Sequence, residues 1–167
     1  MRVSIIGAGA MALAAASYLK LKDVSSLVYV RSEKKLAAWS TKPVRVTGVM
    51  ESSFYVPMAK TMKEAVNYSD TVIICTRAGD YEDVINELLP CLRKGQCILF
   101  LNGCWGAVKT YRLLKEDAKY LTIAETAGSP FVASLSEDFL TLEMKGIRTE
   151  IGYSALGTSK DPGELLH

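Results

Sequence analysis

The segment from Met1 to Lys20 constrains the fold of this chain more than any other. Val3-Ser4-Ile5-Ile6 is a short, mostly apolar run. Gly7-Ala8-Gly9-Ala10-Met11-Ala12 follows at once, and Leu13 to Leu19 is then rich in Ala and Leu, both strong helix formers. Strand, glycine turn and helix in that order are the context in which a G-x-G-x-x-G/A pattern acquires meaning. Gly7 permits the tight turn. Gly9 lacks a Cβ, so a pyrophosphate can approach its backbone. Ala12 lets the helix pack close to the strand. The free N–H groups of Ala10, Met11 and Ala12 then belong to a helix N-terminus, which favours phosphate. The expected fold is α/β, a Rossmann-type doubly wound, mostly parallel sheet that binds a dinucleotide.

The second strand, Ser26 to Val30, ends at Arg31-Ser32. In a dinucleotide fold this tip faces the adenosine ribose. A carboxylate there would favour NAD by binding the 2′-hydroxyl. Here Arg31, Ser32, Lys34 and Lys35 offer guanidinium, hydroxyl and ammonium groups, which suit a 2′-phosphate. NADP(H) is therefore the expected cofactor, with NAD the alternative if these cations are only a solvated helix start.

Further along, Thr71 to Thr76 and Cys97 to Leu101 read as buried strands from their continuous apolar runs. Each is followed by a loop. Ligands in such sheets sit beyond the carboxyl ends of the strands. Thr76 and Arg77 in the first loop, and Asn102 and Gly103 in the second, are thus candidate cofactor residues, although Arg77 could equally be a plain surface cation. Tyr120 to Ala124 reads as the next strand, leading to Thr126 as a last candidate. Thr61 to Tyr68, Tyr81 to Leu92 and Ala107 to Leu114 read as helices, with Pro90 bending or ending the second of them. Val44 to Thr47 alternates like a strand, and Phe54-Tyr55-Val56 is an extended candidate stopped by Pro57. Near the end, Leu140, Leu142 and Met144, then Ile147, Ile151 and Tyr153, alternate with polar residues around Gly146. That pattern predicts an antiparallel hairpin at the C-terminal end of the sheet.

The chain has 167 residues, 49% of them apolar, and a net charge of +2, which describes one folded domain with scattered basic residues. No nucleic-acid surface and no membrane span are expected. Cys75, Cys91, Cys97 and Cys104 form no C-x-x-C pair, and the sole histidine is His167, so no metal site is expected. The thiols read as reduced and the protein as cytoplasmic. The chain enters a strand directly, without a cleavable leader. Cys104 has no histidine to activate it as a nucleophile, and no catalytic residue is assigned.

Several of these segments, in order, carry a family resemblance. Gly7 to Ala12, Asp70 to Cys75, Lys94-Gly95-Gln96, Gly103-Cys104-Trp105-Gly106-Ala107, Glu125-Thr126 with Pro130-Phe131, and Met144 to Arg148 resemble the N-terminal NAD(P)-binding domain of the octopine/nopaline (opine) dehydrogenases. The resemblance implies reductive condensation of an amino acid with an α-keto acid: an imine forms and NAD(P)H reduces it. It also implies a second, helical domain that supplies the catalytic histidine and most of the substrate pocket. Residues 1–156 would then be the dinucleotide-binding domain and residues 157–167 the start of a connection. Ser134 stands where the family often has an arginine, and Arg77 near a common proline. Two other readings stay open. Ketopantoate reductases also have a glycine turn, an Arg-Ser pair after strand two and an Asn-Gly loop. A non-catalytic dinucleotide sensor would need no second domain.

Overall fold

The structure is a computed structural model that describes residues 1–157. The rest of the connection expected over residues 157–167, His167 included, lies outside the described residues. β1 (Arg2–Ile6) leads through the glycine turn into α1 (Ala10–Leu21), and β2 (Ser25–Tyr29) returns beside β1 in parallel. α2 (Glu33–Thr41), β3 (Val44–Gly48), β4 (Ser52–Phe54) and β5 (Met58–Ala59) follow. Next come α3 (Met62–Tyr68), β6 (Thr71–Ile74), α4 (Tyr81–Leu88), β7 (Cys97–Phe100), α5 (Gly106–Leu114) and β8 (Thr122–Thr126). The described chain closes with β9 (Phe131–Leu135), β10 (Thr141–Ile147) and β11 (Tyr153–Gly157).

A seven-stranded sheet in the order β11-β8-β7-β6-β1-β2-β5 forms the centre. All its neighbours are parallel except β11, which runs antiparallel to β8 at the edge. The fold is thus the Rossmann-type sheet expected from the sequence. Its central strands β6 and β7 are buried on both faces, which is why they read as unbroken apolar runs. Val3, Ile5, Val28, Ile73 and Leu99 point to the face covered by α1. Ile6, Val72, Ile74, Ile98 and Phe100 point to the face covered by α3, α4 and α5. Thr61 starts α3 by accepting a hydrogen bond from the Glu64 amide at 3.1 Å, so one orphan N–H of the first turn is satisfied.

A second sheet lies over α1. Its order is β4-β3-β10-β9, with β10 parallel to β3 and antiparallel to β9. Val44, Val46, Phe54, Leu142 and Met144 share one core with Leu13 and Ala16 of α1. Trp39 of α2 is buried in that core, and its Nε1 donates to the Phe139 carbonyl at 2.8 Å.

This second sheet corrects the hairpin. Leu142 and Met144 do alternate inward, but Gly146 is no turn: β10 runs through it, with a register shift between Met144 and Gly146. The hairpin is β9–β10, turning at residues 136–140, and residues 148–152 carry the chain back to pair β11 with β8. A glycine inside a strand marks a bulge as readily as a turn. Two boundaries also move. The extended segment expected over Phe54–Val56 ends at Phe54, the last residue of β4, and β5 starts anew at Met58 on the edge of the other sheet, after Pro57, whose carbonyl accepts from Val28 N at 2.8 Å. Tyr120 closes a 3₁₀ turn over Lys115–Tyr120, and β8 runs two residues further than expected, through Glu125 and Thr126. Pro90 does end α4, in a 3₁₀ turn. No helix among the described residues is long and apolar enough to cross a membrane.

Candidate cofactor cleft

A cleft of about 530 Å³ opens where β1, β2 and β6 end. Gly7 forms its floor with φ of +133°, and a Cβ there would stand 2.8 Å from the Cys75 carbonyl oxygen. The backbone can pass this close to β6 only because Gly7 has no side chain. Gly9 is different. It is the N-cap of α1 with an extended backbone, and nothing lies within 4 Å of the place a Cβ would occupy. That space is open to a ligand.

The N-terminus of α1 suits an anion. No side chain caps it and its first turn carries no acidic residue. The first-turn N–H groups, left without intrahelical acceptors, therefore face outward with the positive end of the helix dipole. Ala10 and Met11 form that turn. Met11 Sδ accepts from the Ser129 hydroxyl at 3.4 Å, and Ala12 is fully buried against the core, as close packing of helix on strand requires. The N-terminus of α5 is unlike it: a protein carboxylate, Glu125 Oε2, already accepts from Ala107 N at 3.0 Å.

Arg31 and Ser32 line the cleft on one side, Thr76 and Arg77 on the other. Ser32 stands at the N-cap of α2, but its hydroxyl makes no capping bond. The Thr76 hydroxyl oxygen is buried with no hydrogen-bond partner, a donor and acceptor left for something in the cleft. Arg77 pairs with Asp80 at 3.3 Å, but with 91% of its side chain exposed it is free to turn inward. Glu33 and Lys34 are exposed and line nothing.

Three further polar side chains line the cleft: Lys35, which the sequence offered for the 2′-phosphate, and Tyr29 and Asp80, which were not among the sequence candidates. Lys35 Nζ donates to the Ala8 carbonyl at 2.6 Å and lies 5.2 Å from the Phe139 ring centroid. Burial, and then the Arg77 charge across the cleft, hold its pKa below the usual lysine value. Tyr29 donates to Glu87 Oε1 at 2.7 Å, and burial followed by that carboxylate push its hydroxyl up to about 12. Among the described residues, Asp80 is the one carboxylate that lines the cleft. The Lys-Lys pair after Arg31 was a sequence signal for Lys35. Tyr29 and Asp80 carried none beyond their positions next to a strand end and a loop.

Asn102, Gly103 and Thr126 gather elsewhere, at the ends of β7 and β8. The Thr126 hydroxyl accepts from Asn102 N at 2.8 Å and donates to the Gly128 carbonyl at 2.7 Å. Thr126 is buried, so its hydroxyl serves the loop and not a ligand directly. Asn102 is exposed. A second hollow of about 280 Å³ lies between α1 and residues 147–153, where Ile73, Leu99, Leu101 and Phe131 contribute an apolar lining and Arg148, Thr149 and Glu150 a polar one. Among the described residues no group of acidic, histidine or cysteine side chains could hold a metal. The four cysteines are unbridged, Cys75 and Cys97 buried and Cys104 exposed.

Comparison with known proteins agrees with this geometry. An octopine dehydrogenase, solved with NADH and L-arginine, superposes at a TM-score of 0.83 and 18% identity over 99% of this chain and 45% of its own. A PanE/ApbA family ketopantoate reductase from Ralstonia eutropha JMP134 gives 0.71 and 22% over 90% of this chain and 48% of its own. Yersinopine dehydrogenase with NADP+ bound gives 0.69 and 18% over 92% and 40%. At these identities the likeness is one of fold, and the chain spans less than half the length of each. No curated protein sequence matches it. Residues 3–123, however, match a sequence family, and that stretch contains the glycine turn, the Arg31-Ser32 tip, the Thr76-Arg77 loop and Asn102-Gly103. The chain belongs to the ketopantoate reductase PanE/ApbA family.

Proposed function

We propose that this chain is the dinucleotide-binding half of an NADPH-dependent oxidoreductase, and that its substrate is the imine formed between an amino acid and an α-keto acid. The observation that carries the cofactor is the cleft: a carboxylate-free helix N-terminus beside three cations, Arg31, Lys35 and Arg77, at the ribose end. The pyrophosphate would lie over Gly9 against the first turn of α1. Arg31, Ser32 and Arg77 would hold the 2′-phosphate, with Lys35 fixing the turn from behind through Ala8. The Thr76 hydroxyl would find its partner on the bound molecule. When bound, the dinucleotide supplies hydride to the imine carbon.

The condensation reading is supported by the superposition on octopine dehydrogenase, whose TM-score of 0.83 over 99% of this chain exceeds the 0.72 of a 2-dehydropantoate 2-reductase over the same share. Direct reduction of a 2-keto acid is the second reading, supported by the family match over residues 3–123. Both readings assign the substrate and proton-donating groups to a second domain beyond residues 1–156, in keeping with the 45% and 48% of the superposed dehydrogenase and reductase that this chain covers. Parallel calorimetric titrations with NADPH and NADH test the cofactor. Tighter NADPH binding is expected. Preference for NADH overturns the 2′-phosphate site, and binding of neither overturns the dinucleotide reading. No turnover with amino acid and α-keto acid is expected from this chain alone; turnover would overturn the assignment of those groups to another domain.

A further inference from the structure

The most unusual backbone in the described chain joins β7 to α5. Asn102, Gly103, Cys104 and Trp105 all have positive φ, at 73°, 38°, 60° and 66°. A left-handed residue with a Cβ is disfavoured, and a run of them persists only where the surroundings impose it. Here β8 imposes it. The Thr126 hydroxyl accepts from Asn102 N at 2.8 Å, at the start of the run. Glu125 Oε2 accepts from Ala107 N at 3.0 Å, just past its end, where Trp105 as N-cap offers no side-chain bond. Between them, a Cβ on Gly103 would stand 2.8 Å from the Thr126 carbonyl oxygen, so the loop lies flat on β8. β8 is held on both sides, with Glu125 opposite Phe100 of β7 and Thr126 opposite Tyr153 of β11. The outcome is a loop whose base is rigid and whose Asn102, Cys104 and Trp105 side chains are exposed.

We infer that Glu125 and Thr126 are positioning residues: they hold Asn102–Trp105 in the shape that meets the nicotinamide half of the dinucleotide. The inference rests on the dinucleotide reading. β7 lies three strands from β2 in the sheet, about 14 Å at the usual strand spacing. A dinucleotide anchored by its adenosine end at Arg31 and by its pyrophosphate at Gly9 therefore runs toward this loop along the carboxyl edge of the sheet. The adenosine half touches none of it.

That division supplies the test. NADPH carries both halves, and adenosine 2′,5′-bisphosphate only the adenosine end. Both are titrated into the wild-type chain, Thr126→Val, Thr126→Ser and Glu125→Ala. Thr126→Val should weaken NADPH about tenfold, the scale of one lost buried hydrogen bond, and leave the bisphosphate within about twofold. Thr126→Ser restores the hydroxyl and should restore NADPH affinity. Glu125 is only half-buried, so Glu125→Ala keeps the fold and should repeat the selective loss; it decides the matter if Thr126→Val does not fold. Equal weakening of both ligands, or NADPH affinity unchanged in the variants, overturns the inference. So does a wild-type chain that binds NADPH no more tightly than the bisphosphate. A wild-type chain that binds neither ligand overturns the dinucleotide reading itself, which is a distinct failure.

Discussion

Replacing Gly9 with aspartate should raise the stability of the fold and abolish its affinity for NADPH. The two effects have one origin. Gly9 is the N-cap of α1, its backbone is already extended at φ −95°, and its missing Cβ would meet nothing within 4 Å. Aspartate is among the best N-caps, because its carboxylate accepts from the second or third N–H of the helix; relative to glycine it is worth a few tenths of a kcal/mol. Those N–H groups are the ones a pyrophosphate would use. The new carboxylate also brings a negative charge to within about 4 Å of the ligand's own. At an effective dielectric constant of about 20 this repulsion amounts to about 4 kcal/mol, close to a thousandfold in Kd. Thermal unfolding gives the first quantity and calorimetry the second. A Tm within about 1 °C of wild type or slightly above, together with undetectable NADPH binding, is the expected pair. Unchanged NADPH affinity would refute the assignment of the turn to a phosphate. A large fall in Tm would refute the geometry of the N-cap.

Gly7→Ala should do the reverse of Gly9→Asp on stability. A left-handed φ of +133° and a Cβ 2.8 Å from the Cys75 carbonyl oxygen put strain of about 1–3 kcal/mol into the native state, or about 2–12 °C in Tm for a chain of this size; an unchanged Tm would show that β1 and β6 are not so closely apposed. Arg31→Glu should weaken NADPH by about 10- to 100-fold, the value of a charge-assisted bond to phosphate, and NADH by less than about threefold; equal losses measured by calorimetry would show that Arg31 does not face the 2′-phosphate. The turn between β9 and β10 should loosen in acid. The Ser136 hydroxyl, then the Leu140 N–H, hold the Asp138 carboxyl below its usual 3.8. A depressed carboxylate stabilises the native state above its unfolded pKa and loses that contribution as pH falls through the folded one. An NMR titration of the Leu140 amide should therefore show a midpoint below 3.8, and a midpoint at or above it contradicts the bond.

How legible each part was in the sequence depended on how local its cause is. The run from Val3 to Leu19 specifies strand, turn and helix within seventeen consecutive residues, through propensity and two glycines, and it reads correctly. So do β6 and β7, because burial on both faces leaves an unbroken apolar run. The four-stranded sheet was not legible as a sheet. Its alternation was visible at Val44, Val46, Leu142 and Met144, and those residues do point inward. Alternation states which side of a strand is buried and not which strand lies beside it. β10 pairs in parallel with β3, Thr141 opposite Arg45, a partnership nearly a hundred residues long in sequence. Gly146 then offered a plausible but false turn, since a bulge and a hairpin use the same residue for related reasons.

The site divides along the same line, and the division bears on how the cleft works. Gly7, Gly9, Arg31, Ser32, Thr76 and Arg77 all sit next to strand ends, and a doubly wound sheet brings strand ends together whatever the rest of the chain does. The groups that hold them in place reach across the fold. Lys35 crosses 27 residues to the Ala8 carbonyl, and Thr126 crosses 24 to the Asn102 amide. Neither bond has a sequence signature. Lys35 also lies against Phe139, whose carbonyl Trp39 holds, so the hairpin of the second sheet supports the phosphate turn through α2. The extra sheet is then more than decoration on a dinucleotide fold. Lys35→Met should separate the two roles of that lysine: the uncharged side chain keeps its packing on Phe139 and loses the bond to Ala8. If the turn depends on that bond, NADPH and NADH affinity fall together, because both share the pyrophosphate. If Lys35 instead faces the 2′-phosphate, NADPH alone weakens, and the support argument fails.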